Sequence, residues 1–307
     1  MGESPWGRTL DPPVLSCEVM VLALAIVISL TVFLAPPAEN AESEDAETLL
    51  LRVIESQERQ QELTREYAFR ETTVTRNLDS EGRVERAKSE VALVTPGPDG
   101  EYRRLEGKDG RPLSSEDEAK EERKFQEYLK EQLQMSPEER DRKTREKLKK
   151  RVERFQERLR EAIEVYDFEP LEDETVQDVP LRVFRFSPKP GYEGHSRSTN
   201  ILARMEGNVW IDPRRDQLAK LQVRFVRNLK FLGGIFGRVS EGSEASAEGW
   251  FDGEGVWLLD EVAVSLDARL YFLKSYRQRI EIDYHDFQRY RVDTEERIKP
   301  LRPSGSK

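Results

Sequence analysis

Hydrophobic and polar positions divide the chain into a helical start, a charged helical insert and a long β-rich remainder. Apolar residues recur at helical spacing between residues 50 and 63. This predicts a first helix over about residues 43–66, capped by Ser43, with one face packed on other structure. Residues 67–78 and 82–95 flank a turn-rich tetrapeptide and predict a hairpin, and residues 102–106 predict a third strand.

From Val165 onward the hydrophobic period is two. Leu221, Val223 and Phe225 alternate with Gln222 and Arg224, so one face of the predicted sheet is apolar and the other polar. Seven further strands are predicted over residues 181–186, 199–212, 217–229, 238–251, 256–266, 269–282 and 284–292.

About ten antiparallel strands with one apolar face cannot stay flat and open in water. The sequence therefore predicts an α+β fold. Its curved antiparallel sheet forms a half-open β-barrel of about ten strands, which the N-terminal helix covers.

The charged insert has two helix starts. Residues 115–118 (Ser-Glu-Asp-Glu) form a predicted capping box, and Ser136 precedes Pro137 at the first position of a second helix. Acidic and basic residues are equally numerous over residues 115–164. A stripe of apolar residues at alternating spacings of four and three predicts one narrow buried face: Leu148, Val152, Phe155, Leu159 and Ala162. The pair is either a solvated arm docked on the domain or on its own partner helix, or a coiled coil that binds a protein partner.

Residues 19–35 form an uncharged apolar run with Arg8 as the only basic residue before it and an acidic segment after it. This pattern predicts export to the periplasm or cell envelope, with the run acting as a signal peptide or as a retained anchor. The predicted organisation is a signal or anchor with its linker over residues 1–41, a half-barrel domain over 42–298 with a helical insertion at 114–165, and a disordered tail over 299–307.

Composition excludes several kinds of site. The net charge of −10 disfavours nucleic acid as a partner. Cys17 is the only cysteine, so there is no intramolecular disulfide and no cysteine-based metal centre. The two histidines, His195 and His285, are far apart in sequence. We therefore expect no metal and no cofactor.

Two carboxylate arrangements are candidates for hydrolytic chemistry: Asp212 with Asp216, and His285 with Asp286. Acidic residues beside turns are usually turn formers. Adjacent strand residues point to opposite faces, so His285 and Asp286 are not expected to meet. The prediction is that the protein is not an enzyme.

One predicted connection is unusually apolar. Residues 231–237 place Phe231, Leu232, Ile235 and Phe236 around three glycines, where polar turn residues would be expected. Two interpretations remain open: a lid or membrane-touching loop, or a buried loop that closes the end of the barrel.

The chain has a hairpin made of a strand at residues 207–212 (Gly-Asn-Val-Trp-Ile-Asp), a turn at 213–216 and a strand at 217–226. Together with the order of the other elements, this hairpin resembles the outer-membrane lipoprotein carrier (LolA-like) superfamily. The resemblance implies an unclosed β-barrel covered by helices around a lipid-binding cavity. The helical pair is an insertion relative to that pattern.

The function expected from these observations is non-enzymatic binding of a lipid or lipidated protein in the concave apolar face of the sheet, as in a lipoprotein-sorting carrier or sensor. Expected partners are that ligand and the surface of the inner or outer membrane. The alternative is an envelope scaffold that recruits a protein through residues 115–164, with a fully packed sheet core. The residues expected to line the apolar site are Trp210, Leu221, Val223, Phe225, Phe231, Leu232, Ile235 and Phe236.

Overall fold

The computed structural model describes residues 45–97, 100–231, 237–270 and 274–290. The predicted signal or anchor at residues 19–35, the cap Ser43 and the tail at 299–307 lie outside the described residues. Four helices and fourteen strands are present in the described part of the chain. In chain order they are α1 (Ala46–Thr64), β1 (Tyr67–Leu78), β2 (Val84–Gly97), β3 (Gly100–Lys108), β4 (Arg111–Pro112), α2 (Ser115–Gln134), α3 (Pro137–Val165), β5 (Tyr166–Pro170), β6 (Glu174–Val176), β7 (Val179–Pro188), α4 (Arg197–Leu202), β8 (Met205–Asp212), β9 (Gln217–Phe225), β10 (Leu229–Phe231), β11 (Gly237–Val239), β12 (Glu244–Phe251), β13 (Trp257–Leu270) and β14 (Lys274–Arg289).

The predicted fold class is confirmed: the strands form one large antiparallel sheet that is curved and not closed. Eleven strands follow one another in the order β4-β3-β2-β1-β14-β13-β12-β9-β8-β7-β5. The hairpin of β10 and β11 joins through β13, and β6 pairs with β7. The sheet is larger than the ten strands predicted, because short strands such as β4, β6 and β10 carry no strong periodicity.

Helix α3 shows how strongly the sheet curls. It contacts both β3 and β5, which lie near opposite ends of the strand order. Arg151 Nη1 is 3.2 Å from Glu101 Oε1 on β3, while Val165 leads directly into β5. Arg151 and Val165 are about 21 Å apart along the helix. In a flat sheet, nine strand spacings would separate β3 from β5 by about 43 Å. The sheet is therefore curled towards α3.

The face turned towards the helices, here called the covered face, carries the main core. Leu49, Leu50 and Val53 of α1 are buried there, together with Phe155 of α3. The heptad-like stripe of α3 is therefore used within the domain, since Val152 is also buried and Leu159 and Ala162 pack against the core. Gln156 Nε2 donates to the carbonyl oxygen of Ile54 at 2.9 Å and links the two helices.

Helix α2 packs on β3 through aromatic contacts. The rings of Tyr102 and Tyr128 stack with centroids 4.5 Å apart, and Phe125 lies 5.2 Å from Tyr102. The helical pair is thus docked on the domain, as the first of the two alternatives predicted. Its cap is corrected by one residue: Ser114, not Ser115, accepts from the backbone N–H of Asp117. Ser136 caps α3 as predicted.

The predicted strands differ from the observed ones most clearly at four places. Residues 197–202 form α4 instead of strand, because Ser196 and Thr199 make a capping box that starts a helix. The strand predicted over 217–229 ends at Phe225, and that predicted over 238–251 is interrupted at residues 240–243. The break predicted near residue 283 is absent, so β14 runs unbroken to Arg289. Likewise, the first helix is capped by Asp45, which accepts from the N–H of Thr48.

Asp212 fixes the corner where β8, β9 and β13 meet. It is fully buried, and its Oδ2 accepts from Trp257 Nε1 at 3.0 Å and from Arg215 at 2.7 Å. Its Oδ1 accepts from the backbone N–H groups of Arg214 and Arg215. Beside it, Asp216 accepts from Arg52 of α1 at 2.6 Å, so the same turn also positions the covering helix.

We predict that Asp212→Ala lowers the free energy of unfolding by about 3 kcal/mol, because it leaves buried donors and the Arg215 charge without their acceptor. Urea titration of the variant measures this loss. Asp173→Ala is the control, since Asp173 pairs with Arg182 while remaining exposed, and we expect a change below about 0.5 kcal/mol. Equal effects of the two substitutions would contradict the role given to Asp212.

Candidate functional site: the covered face of the sheet

The centre of the covered face is an apolar wall built from directly opposed strand residues. Val223 of β9 faces Ala245 of β12, which faces Val264 of β13, which faces Ile280 of β14. A second row, one pleat along, contains Leu221, Ala247, Val262 and Ile282. All eight side chains are buried and belong to one hydrophobic cluster with α1 and α3.

The structure brings together three of the predicted lining residues. Leu221, Val223 and Phe225 lie on the covered face, two residues apart along β9, and keep 7%, 7% and 6% of their surface exposed. Phe231 belongs to β10, but its side chain is not among those described. Leu232, Ile235 and Phe236 lie outside the described residues.

Trp210 is not part of this wall. It is buried in a second cluster with Leu181, Val183 and Trp257. Its neighbours Val209 and Ile211 are the residues that join the main core, so Trp210 points to the other face. The amine of Lys220 lies 5.2 Å from the centre of its indole ring. The sequence alone could have shown this, because side chains alternate between the two faces of a strand and Trp210 lies between Val209 and Ile211.

Sequence reasoning missed a polar wall on the same face. Glu71 of β1 lies opposite the buried Tyr284, and Arg103 of β3 lies opposite Val94 of β2. Arg103 Nη2 is 3.0 Å from Glu71 Oε1. Burial, reinforced by Glu71, raises the pKa of Tyr284 and keeps its phenol neutral. The covered face thus combines an apolar wall with hydrogen-bonding groups at one side, which suits an amphipathic ligand.

The opposite face of the sheet, here called the open face, has a polar hollow of about 660 Å³. Two rows of side chains, each running across neighbouring strands, line it. One includes Asn208, Gln222 and Ser246, and the other includes the ion pair of Arg224 with Glu206. Val223, Ala245, Val264 and Ile280, which lie in the row between these two, also line it. Charged and amide side chains border the hollow on both sides of that row, which makes it unsuitable for an acyl chain.

The first carboxylate pair has a structural role. Asp212 is enclosed and fully bonded, as described above. Asp216 has a φ of 55°, and its carbonyl oxygen accepts from Ser56 Oγ at 2.9 Å and from Gln60 Nε2 at 2.9 Å. Both carboxylates hold the β8–β9 turn to its surroundings.

The prediction that His285 and Asp286 do not meet is wrong. A register shift in the pairing of β1 with β14, together with a φ of 57° at Asp286, brings His285 Nδ1 within 3.3 Å of Asp286 Oδ2. Thr72 Oγ1 lies 3.0 Å from His285 Nε2. The hydrogen bond from Arg70 lowers the pKa of Asp286.

Thr72, His285 and Asp286 follow the hydroxyl–imidazole–carboxylate order of a nucleophilic triad, but they do not lie in the enclosed pocket in which such a triad acts. The side chains of His285 and Asp286 are about half exposed on the open face. None of the three residues lines the hollow on that face. Catalytic groups of this kind act inside a water-excluding pocket with donors aimed at the developing oxyanion. Among the described residues, no group of side chains has the arrangement of a metal site.

The chain was compared with protein-family models, curated proteins and solved structures. No protein-family model matches the chain, and no curated protein gives a significant match. A LolA superfamily protein from Nitrosomonas europaea aligns over 81% of this chain and 94% of its own, at 11% identity and a TM-score of 0.28. The chain resembles the LolA superfamily remotely.

Two other solved structures give similar values. A putative outer membrane lipoprotein-sorting protein domain from Vibrio parahaemolyticus aligns over 82% of this chain and 95% of its own, at 12% identity and a TM-score of 0.25. MucB, in the complex structure of Pseudomonas aeruginosa MucA/MucB, aligns over 81% of this chain and 100% of its own, at 11% identity and a TM-score of 0.22. The helices described in this chain include none with the length and apolarity to span a membrane.

Four carboxylates crowd one part of the open face. Glu248, Glu261 and Asp283 are directly opposed on β12, β13 and β14, and Asp260 is adjacent. Partial burial, together with the charges of Asp283 and Glu248, raises the pKa of Glu261. Lys220 neutralises only Glu248, at 2.9 Å. The cluster therefore destabilises the folded chain once its members ionise.

We predict that Glu261→Gln raises the melting temperature near pH 7. A carboxyl whose pKa is raised in the folded state binds its proton more tightly there, so ionisation on raising the pH weakens folding. The gain should shrink as the pH falls to about 4, where unfolded carboxyls also protonate. Melting curves across this range measure it. Glu248→Gln is the control, since it also breaks the pair with Lys220 and should give no gain. A loss of stability in Glu261→Gln at pH 7 would refute the prediction.

Proposed function

We propose that the chain is a non-enzymatic binding protein of the cell envelope that holds a lipid, or the acyl chain of a lipidated protein, against the covered face. The observation that carries the proposal is the position of α3. By contacting both β3 and β5, this helix spans the mouth of the curled sheet and encloses an apolar wall. Such an enclosed apolar wall with a polar side is the usual form of a site for an amphipathic molecule.

We place the acyl chain between this wall and α1, which contacts β9. Leu221, Val223 and Phe225 each keep 6–7% of their surface accessible to solvent, whereas Ile211 and Val262 on the same face keep none. An acyl chain of a dozen carbons would gain about 0.8 kcal/mol for each CH₂ it removes from water, or roughly 10 kcal/mol before the cost of association. That is enough for binding without a charged anchor.

The covering helices are tied to the rest of the domain partly by polar contacts. Arg151 of α3 pairs with Glu101 of β3 at 3.2 Å, and Arg52 of α1 pairs with Asp216 at 2.6 Å. Arg158 and Glu161 of α3 bind Ser198 of α4. Water can replace exposed ion pairs at little cost, so we propose that movement of α3 at the Arg151–Glu101 contact admits the ligand.

The proposed location outside the cytoplasmic membrane is supported by residues 19–35, whose uncharged apolar sequence suits a signal peptide or an anchor. A ligand of lipid character and a nearby membrane surface are consistent with that location. The proposed absence of catalysis is supported by the structural roles of Asp212 and Asp216 and by the exposed setting of His285.

A scaffold role for the helical pair is the second candidate. It is favoured by Leu133 of α2, whose side chain is 80% exposed. The burial of Val152 and Phe155 within the domain weighs against it, because a partner helix would have to bind the charged outer surface of α3. The scaffold role predicts that Leu133→Glu releases a bound protein while leaving acyl-chain uptake unchanged.

We predict that the protein takes up a fluorescent C12 fatty acid and that Ala245→Phe weakens this uptake at least tenfold. Ala245 and Ala247 are two residues apart on the covered face of β12, but Ala245 keeps 6% exposure and Ala247 none. Ala245 also borders the hollow on the open face. We propose that its Cβ faces the ligand space, so that a ring added there displaces the ligand with less loss of stability than a ring at Ala247. The matched variant Ala247→Phe should instead lower the free energy of unfolding by about 1–3 kcal/mol through overpacking.

Fluorescence titration and urea unfolding of both variants provide the measurements, and mass spectrometry of the extracted wild-type protein tests for co-purified lipid. A wild-type protein that carries no lipid and takes up no fatty acid would refute the proposal. If Ala245→Phe destabilised the fold as much as Ala247→Phe, the interior would be filled, and the scaffold role would be favoured.

A further inference from the structure

The inner side of α1 changes from apolar to amide along the helix. Leu50 and Val53 are buried in the main core. Gln57, Gln60 and Gln61 follow, and only 1%, 1% and 4% of their surfaces are exposed. We call these three glutamines the amide end of α1. Burying polar side chains costs free energy unless their groups are hydrogen-bonded, so the bonds of these amides decide what the amide end contributes.

Two hydrogen bonds fix the orientation of two of these amides. Gln60 Nε2 donates to the carbonyl oxygen of Asp216 at 2.9 Å. Gln57 Nε2 donates to Gln60 Oε1 at 2.6 Å. Both acceptors are carbonyl oxygens, which cannot donate, so neither amide can be reversed without losing a bond. Gln57 therefore has its own oxygen, Oε1, left over from this chain of bonds.

That oxygen has no partner in the described part of the chain. Gln57 Oε1 is buried and accepts no hydrogen bond from any described residue. An unpaired buried acceptor destabilises the protein, and a donor that reaches it recovers the loss. Because the side chain is buried on the inner side of α1, such a donor has to enter the interior, where the proposed ligand lies.

The amide end lies at one end of the apolar wall. Asp216, which accepts from Gln60, immediately precedes β9. Leu221 and Phe225 lie about 13 and 26 Å along β9 from its first residue. A ligand whose acyl chain runs along Leu221 and Phe225, with its head towards the β8–β9 turn, therefore has that head beside the amide end.

We propose that Gln57 selects ligands whose head group carries a hydrogen-bond donor next to the acyl chain, namely an amide N–H or a hydroxyl. Gln57 Oε1 accepts from this donor, whereas esters and ethers, which only accept, leave the oxygen unpaired. The inference rests on the proposed function, because it concerns the same acyl chain on the covered face. It adds the direction in which the chain lies and the chemistry that is recognised at its head.

The test compares ligands that differ by one donor. N-Methyldodecanamide has one N–H and N,N-dimethyldodecanamide has none, and 1-dodecanol with dodecyl methyl ether makes the same comparison for a hydroxyl. Competition with the fluorescent C12 fatty acid gives the four dissociation constants. In at least one pair, we expect the wild type to bind the donor ligand about tenfold more tightly, because one buried hydrogen bond is restored. The pair that shows the preference identifies the donor.

Gln57→Met removes the acceptor while keeping the length of the side chain, so the ratio within the pair should fall to about one. Its affinity for the ligand without a donor should not fall, which shows that the site remains folded. The matched control is Gln132→Met. Gln132 is 3% exposed and its Oε1 is also unpaired among the described residues, but it lies on α2, which contributes no described residue to the main core. This variant should keep the full preference.

Three results would overturn the inference and leave the proposed function standing: equal binding within both pairs by the wild type, survival of the preference in Gln57→Met, or its equal loss in Gln132→Met. A wild type that takes up the fatty acid but binds none of the four ligands would also overturn it. If the fatty acid did not bind either, the proposed function itself would fail.

Discussion

The whole structure depends on one constraint: a wide antiparallel sheet with one apolar face must remove that face from water. Helix α1 alone is too small to cover eleven strands. The chain meets the constraint by curling the sheet until β3 and β5 both reach α3, so that a helix inserted between β4 and β5 in sequence becomes part of the cover. The charged insert is therefore structural on its inner side, and only its outer surface is available to partners.

Two polar contacts give this arrangement a defined geometry. Asp212 joins the β8–β9 turn to β13 through Trp257, and Asp216 in the same turn holds Arg52 of α1. A single turn thus positions both the covering helix and the apolar wall. The carboxylate pair of this turn, considered above for hydrolytic chemistry, has this structural role. The interior that results has an apolar wall at β9 and β12–β14 and a polar wall at Glu71 and Arg103.

Periodicity predicted most of the sheet, because a hydrophobic period of two sustained over eight or more residues is typical of a strand and not of a helix. It predicted β1 at its observed bounds and placed Leu221, Val223 and Phe225 on one face. It failed where local chemistry dominates: Ser196 and Thr199 begin a helix despite neighbouring β-formers, and a positive φ at Asp286 brings His285 to it. The face of the sheet to which Trp210 points could have been predicted from its alternation with Val209 and Ile211. Contacts between segments that are distant in sequence, such as those of α3 across the open side of the sheet or that of Glu71 with Arg103, leave no local pattern in the sequence.

The curl of the sheet is the central claim, and a distance across its mouth tests it most directly. In a Cys17→Ser background, spin labels at Arg111→Cys on β4 and Asp167→Cys on β5 occupy exposed positions at the two ends of the strand order. Ten spacings in a flat sheet would hold them at least about 48 Å apart. Double electron–electron resonance should give a main distance well below this value, on the order of 30 Å for a sheet that curls to meet α3. A distance at or above the flat-sheet value would contradict the account.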